Sequence, residues 1–130
     1  MPTILRLFVT ILIVLTLAGP AASTPADLIS GDPQAVPVQG MVTMLDLGAK
    51  SCIPCKMMAP VIESLSKEYE GKAAIVFIDV WKNPNEPQKF GIKTIPTQIF
   101  YDKDGKEVMR HEGYLEKESI VKVLAKLGVE

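Results

Sequence analysis

The sequence predicts an α/β domain with a central mixed β-sheet flanked by helices, and three observations carry that reading. Met41 to Leu47 and Ala73 to Val80 are apolar runs of strand length, the pattern of strands covered on both faces. A stretch with helical spacing separates them, so the two strands should run parallel through a right-handed crossover. Farther along, two short strand patterns meet at Asp102-Lys103-Asp104-Gly105, whose turn chemistry implies an antiparallel hairpin.

Residues 1–23 are set apart from this domain. Arg6 precedes the apolar stretch Leu7 to Leu17, and Ala21 and Ser23 flank a cut site before Thr24, the three-part layout of a secretory signal peptide. The apolar stretch falls short of the roughly 20 residues that span a bilayer. Residues 24–40 carry Pro25, Pro33 and Pro37, and read as an irregular N-terminal segment with little regular structure. The domain proper is expected over residues 41–130.

Within it, Cys52 to Tyr69 places Met57, Met58, Val61, Ile62, Leu65 and Tyr69 at helical spacing, with Gly71 as the stop and Pro60 as a kink. After the strand Ala73 to Val80, the prolines at 84 and 87 leave room for one short helix ending before Gly91. Thr97 to Tyr101 and Glu107 to His111 form the hairpin strands. Glu116 to Leu127 sets Ile120, Val121, Leu124 and Leu127 opposite Lys117, Lys122 and Lys126, an amphipathic helix that should cover the sheet.

Composition narrows the function. The 130 residues are 48% hydrophobic, with 14 basic and 15 acidic side chains interspersed for a formal charge of -1. No basic stripe is present to neutralise a phosphate backbone, which excludes nucleic acid as the expected partner. A monomer is expected. The only two cysteines lie three residues apart, so their chemistry is local.

That chemistry sits in Ser51-Cys52-Ile53-Pro54-Cys55-Lys56, where a buried strand gives way to a helix. A helix N-terminus offers unpaired N-H groups and the positive end of the dipole, so it favours a thiolate at Cys52, the nucleophile. Cys55, one turn on, can resolve a mixed disulfide formed at Cys52, and the pair can cycle between dithiol and disulfide. Pro54 fits the first helical turn, where its missing donor is not needed. Half of a zinc site, a permanent structural disulfide and chance spacing are the competing readings, but His111 is the only histidine and no metal is expected.

From Val42 to Leu127 the chain resembles the thioredoxin family in four motifs in order. These are Cys52-Ile53-Pro54-Cys55, the following Lys56-Met57-Met58-Ala59-Pro60, Asp46 six residues before Cys52, and Phe90 to Thr97 with Pro96 at the position of the family's cis-proline. The resemblance implies a thioredoxin fold and protein-disulfide reductase activity. Asp46 would be a buried carboxylate that exchanges a proton with Cys55 through water. A cis Ile95-Pro96 bond would present the Ile95 backbone to an extended substrate, with Ile53 and Pro54 completing the substrate-binding set. No flavin or nicotinamide motif occurs, so no cofactor is expected beyond the Cys52-Cys55 disulfide.

The chain departs from the family at Ser51, where thioredoxins carry tryptophan, at Ile53, where they carry glycine, and at Phe77, near the place of a lysine beside the buried carboxylate. Pro54 and Ile95 resemble the reducing branch; oxidising branches usually carry histidine before the second cysteine. The expected role is reduction of protein disulfides in the periplasm or outside the cell, apocytochrome c among the substrates, with a membrane thiol reductase as electron donor. The alternative is a peptide-binding or metal-chaperone module without redox turnover.

Overall fold

The computed structural model describes Gly19 and residues 24–130; the expected signal peptide over residues 1–23 otherwise lies outside the described residues. A four-stranded mixed sheet forms the centre. Strand β1 is Thr43–Gly48, β2 Ala74–Asp79, β3 Thr97–Tyr101 and β4 Glu107–Glu112, in the spatial order β2-β1-β3-β4. β1 pairs parallel with β2 and antiparallel with β3, and β4 closes the hairpin on β3. Both predicted pairings are present.

The registers explain why β1 reads as uninterrupted apolar sequence. Met44 lies between Ile75 and Phe100, while Leu45 lies between Val76 and Ile99, so alternate rows feed two separate cores. The Met44 row packs with Met58, Ile62 and Leu65 of a long helix, Ile53–Glu68, and with Ile120 and Leu124 of the C-terminal helix, Lys117–Lys126. The Leu45 row packs against Phe90, Ile92, Ile95, Val36 and Val38. A strand with helices or chain on both faces has no solvent side and cannot alternate. β4 is the exception: its outer edge is exposed, and Glu107, Arg110 and Glu112 make it charged, as edges that avoid pairing with other chains tend to be.

The helices follow their local chemistry. Cys52 caps Ile53–Glu68, Pro54 occupies its first turn, and the helix continues through Pro60. The missing donor at Pro60 costs only the bond that would have gone to the Lys56 carbonyl. The short helix Glu86–Phe90 ends on Gly91, whose φ of 65° is the left-handed conformation that glycine adopts without strain.

Residues 24–40 are more ordered than the sequence suggests. Pro25–Leu28 forms one helical turn, closed by a capping box in which the Thr24 hydroxyl accepts from the Asp27 amide and the Thr24 amide donates to the Asp27 carboxylate. Gly31 then makes an isolated parallel bridge to Ile78, its carbonyl accepting from the Asp79 amide at 2.9 Å. The proline count hid this ordering because the anchoring partner, β2, lies more than forty residues downstream. With the helices in chain order, Pro25–Leu28 is α1, Ile53–Glu68 α2, Glu86–Phe90 α3 and Lys117–Lys126 α4.

Candidate functional site

The site lies at the C-terminal end of the parallel pair, where open α/β sheets place their chemistry. β1 ends on Gly48, the chain turns through Ala49 to Ser51, and Cys52 becomes the N-cap of α2. Cys52 and Cys55 are joined in a disulfide with their α-carbons 5.1 Å apart. The Cys52 sulfur accepts the Cys55 amide N-H at 3.4 Å, a bond that serves a thiolate even better than a disulfide sulfur. Cys52 is half-buried and Cys55 buried, so the first is the more accessible of the two.

Gly48 makes this approach possible. A β-carbon there would stand 3.3 Å from the Cys55 sulfur and 3.4 Å from the Phe77 ring, so the strand end and the helix meet at a distance that suits glycine. Antiparallel register carries Pro96 one step past the Leu47 and Thr97 pair, to the level of Gly48. The Ile95-Pro96 peptide bond is cis, as is Val36-Pro37. On the other flank, the Val80 amide donates to the Gly48 carbonyl at 2.8 Å.

Beneath the disulfide lies Asp46, buried in the middle of β1. Its cross-strand row reads Phe77, Asp46, Gln98, His111. Phe77 stands directly opposite Asp46, so the position that would hold a charged neighbour holds an aromatic ring. Gln98 donates from Nε2 to Asp46 Oδ1 at 2.9 Å. Burial pushes the Asp46 carboxyl up to about 7, and the Gln98 hydrogen bond partly opposes the rise. Asp46 and Cys55 line one cavity of about 340 Å³, with Lys50, Lys56 and Glu63 also on its wall. Ile29 lines it too, delivered by the N-terminal segment. The cavity has the room and the polar wall that a bridging water needs.

Three further residues escaped the sequence reading. Asp79, at the end of β2, accepts the Lys50 amide on one oxygen and the Trp81 and Lys82 amides on the other, tying the loop before Cys52 to the turn after β2. An acid closing an apolar run is the signal that could have found it. Trp81 stands 61% exposed and lines a groove of about 330 Å³ together with Val80, Ile92, Lys93 and Ile95. Gln98 gave no signal: one amide in a strand acquires meaning only when register sets it beside a carboxylate. Ile53 projects from the motif with 75% of its surface exposed, and Met57 is also exposed. Among the described residues no cluster of three or more metal-ligating side chains occurs.

A mixed sheet with a Cys-x-x-Cys disulfide at a helix N-terminus, over a buried carboxylate, defines a thiol-disulfide oxidoreductase. The thioredoxin family model matches residues 34–126. Thioredoxin of Staphylococcus saprophyticus is 43% identical over 89 residues, covering 68% of this chain and 85% of that protein. Among solved structures, thioredoxin NaTrxh from Nicotiana alata is similar with a TM-score of 0.61 and 36% identity, over 70% of this chain and 76% of that one. Fasciola hepatica thioredoxin gives 0.60 and 31%, over 68% and 82%. The chain belongs to the thioredoxin family. It is a disulfide oxidoreductase that acts on protein disulfides, and its redox centre is the intrinsic Cys52-Cys55 pair, with no cofactor needed.

Proposed function

We propose that this chain is an exported protein-disulfide reductase working in the periplasm or outside the cell. The carrying observation is the motif at the head of α2. The helix terminus and the Cys55 amide support a Cys52 thiolate, while Ile53 and Pro54 supply no imidazolium that would turn the disulfide into a strong oxidant. The pair is therefore expected nearer roughly -270 mV than about -120 mV.

In the reducing direction the Cys52 thiolate attacks a substrate disulfide, forming a mixed disulfide and releasing one substrate thiolate, which takes a proton from solvent. Cys55 then gives its thiol proton toward Asp46 through the shared cavity, and its sulfur attacks Cys52. The mixed disulfide breaks, the second substrate thiolate leaves, and two electrons have passed to the substrate. The protein is left with the Cys52-Cys55 disulfide. A dithiol donor must reduce it again, and for an exported chain a membrane thiol reductase fits that need.

Substrate is held across the end of the sheet. The Ile95 backbone, beside Pro96, takes an extended segment, while Ile53, Pro54 and Trp81 give that segment apolar contact around Cys52. Trp81 supplies the exposed aromatic surface that Ser51 lacks. Exported proteins with accessible disulfides are the substrate class, paired haem-binding cysteines of apocytochrome c among them. Support for export is the charge and apolar layout of residues 1–23.

Dithiothreitol-driven insulin reduction tests the activity: turnover must vanish in Cys52→Ser. Equilibration with glutathione tests the direction, and a potential near the strong-oxidant value would discard the reductase reading. Cell fractionation with determination of the N-terminal residue tests export.

A further inference from the structure

We infer that Gln98 is a positioning residue of the proton relay, its side-chain amide holding the Asp46 carboxylate ready to take the Cys55 proton. The inference deepens the proposed mechanism and rests on it.

The surroundings of Asp46 leave this role to Gln98. From β2 the side chain in register is Phe77, which offers neither charge nor hydrogen bond. From α2 come Cys55, Lys56 and Glu63, and from the preceding loop Lys50, all on the wall of the shared cavity; the lysines and Glu63 are exposed and solvated. From the N-terminal segment comes Ile29, which is apolar. On β3 stands Gln98, fully buried, with the one hydrogen bond that Asp46 receives among the described side chains. His111 lies one strand beyond, in register with Gln98, its Nε2 3.1 Å from the Tyr114 carbonyl.

An ionised carboxylate can accept about four hydrogen bonds, so one donor in a buried site carries unusual weight. Gln98 Oε1 is itself buried, with no hydrogen-bond partner among the described residues. That vacancy suits the second half of the cycle. Once Asp46 holds the proton, its hydroxyl needs an acceptor, and a half-turn of the Gln98 amide brings Oε1 to that place while Nε2 moves away. One side chain then serves both forms, but its charge-assisted bond to the carboxylate is the stronger, so on balance it favours the ionised state.

The test is Gln98→Met, similar in size and unable to donate, with Gln98→Asn as a second variant that keeps the amide but is one methylene short. Carboxyl ¹³C NMR reads the titration of Asp46 directly, free of His111, and insulin reduction from pH 5 to 9 reads its consequence. We expect Gln98→Met to raise the Asp46 midpoint by about one pH unit, a tenfold change in proton affinity, and to move the rising limb of the activity profile with it. In an Asp46→Asn background the same substitution should leave the profile where Asp46→Asn alone puts it. An unmoved Asp46 midpoint in folded Gln98→Met or Gln98→Asn overturns the inference, as does an equal loss of activity in the Asp46→Asn background, which would mark Gln98 as packing. If Asp46→Asn itself leaves the profile unchanged, the proton-transfer step of the proposed function falls first, and Gln98's role in catalysis with it.

Discussion

Gln98 on β3 and Asp46 on β1 face each other across an antiparallel register, 2.9 Å apart from Nε2 to Oδ1, in a sheet interior that neither side chain leaves. A carboxyl in that place titrates in the neutral range, at about 7, because burial disfavours its charge more than one hydrogen bond restores it.

That shift makes stability depend on pH. The folded pKa lies above the unfolded value near 4, so the folded state binds the extra proton between the two. The contribution of Asp46 is fully present below about pH 4 and is lost as pH rises through about 7. Urea unfolding of the oxidised protein should show stability falling over that interval, by at most about 4 kcal/mol from this residue at about 1.36 kcal/mol per pH unit. Asp46→Asn should flatten the fall. A wild-type slope in Asp46→Asn would assign the pH dependence to other groups.

The two sulfurs should differ in reactivity. Cys52 is the half-buried helix cap that accepts an amide N-H, and Cys55 is enclosed. In the reduced protein, iodoacetamide near pH 7 should modify Cys52 at least tenfold faster, read by mass spectrometry of the peptides. Equal rates would place the thiolate elsewhere.

Gly48→Ala probes the meeting of strand and helix. Its methyl would stand 3.3 Å from the Cys55 sulfur and 3.4 Å from the Phe77 ring, so the sulfur, tied into the disulfide, must give by a few tenths of an ångström. We expect a loss of about 1 to 3 kcal/mol in urea unfolding, the usual range for overpacking. A neutral substitution would show that α2 yields here without cost.

Trp81→Ala separates docking from redox chemistry. The indole is exposed, so folding and the glutathione equilibrium should stay unchanged. Insulin reduction should fall several-fold in kcat/KM. Wild-type insulin kinetics would remove Trp81 from the substrate surface.

Much of this architecture is legible in the sequence, because the features that encode it are local. The apolar runs of β1 and β2, the helical spacing between them and the turn at Asp102 to Gly105 each declare an element within one continuous stretch of chain. The redox pair is legible for the same reason. What stays hidden depends on register and long-range anchoring. Ile29 lines the cavity under the disulfide because Gly31 bridges to Ile78, and Gln98 meets Asp46 because β3 pairs antiparallel with β1. The Asp79 carboxylate joins two loops that the sequence separates by nearly thirty residues.

The capping box of α1 bears on what a cut before Thr24 would leave behind. In the intact chain Thr24 offers Asp27 a neutral amide N-H at 3.2 Å. Hydrolysis of the preceding peptide bond would turn that nitrogen into an ammonium group, already seated beside a carboxylate whose own titration is held low by Thr24. The new chain end would thus be born with its counter-ion in place. Maturation would exchange a hydrogen bond for an ion pair without moving an atom of the turn.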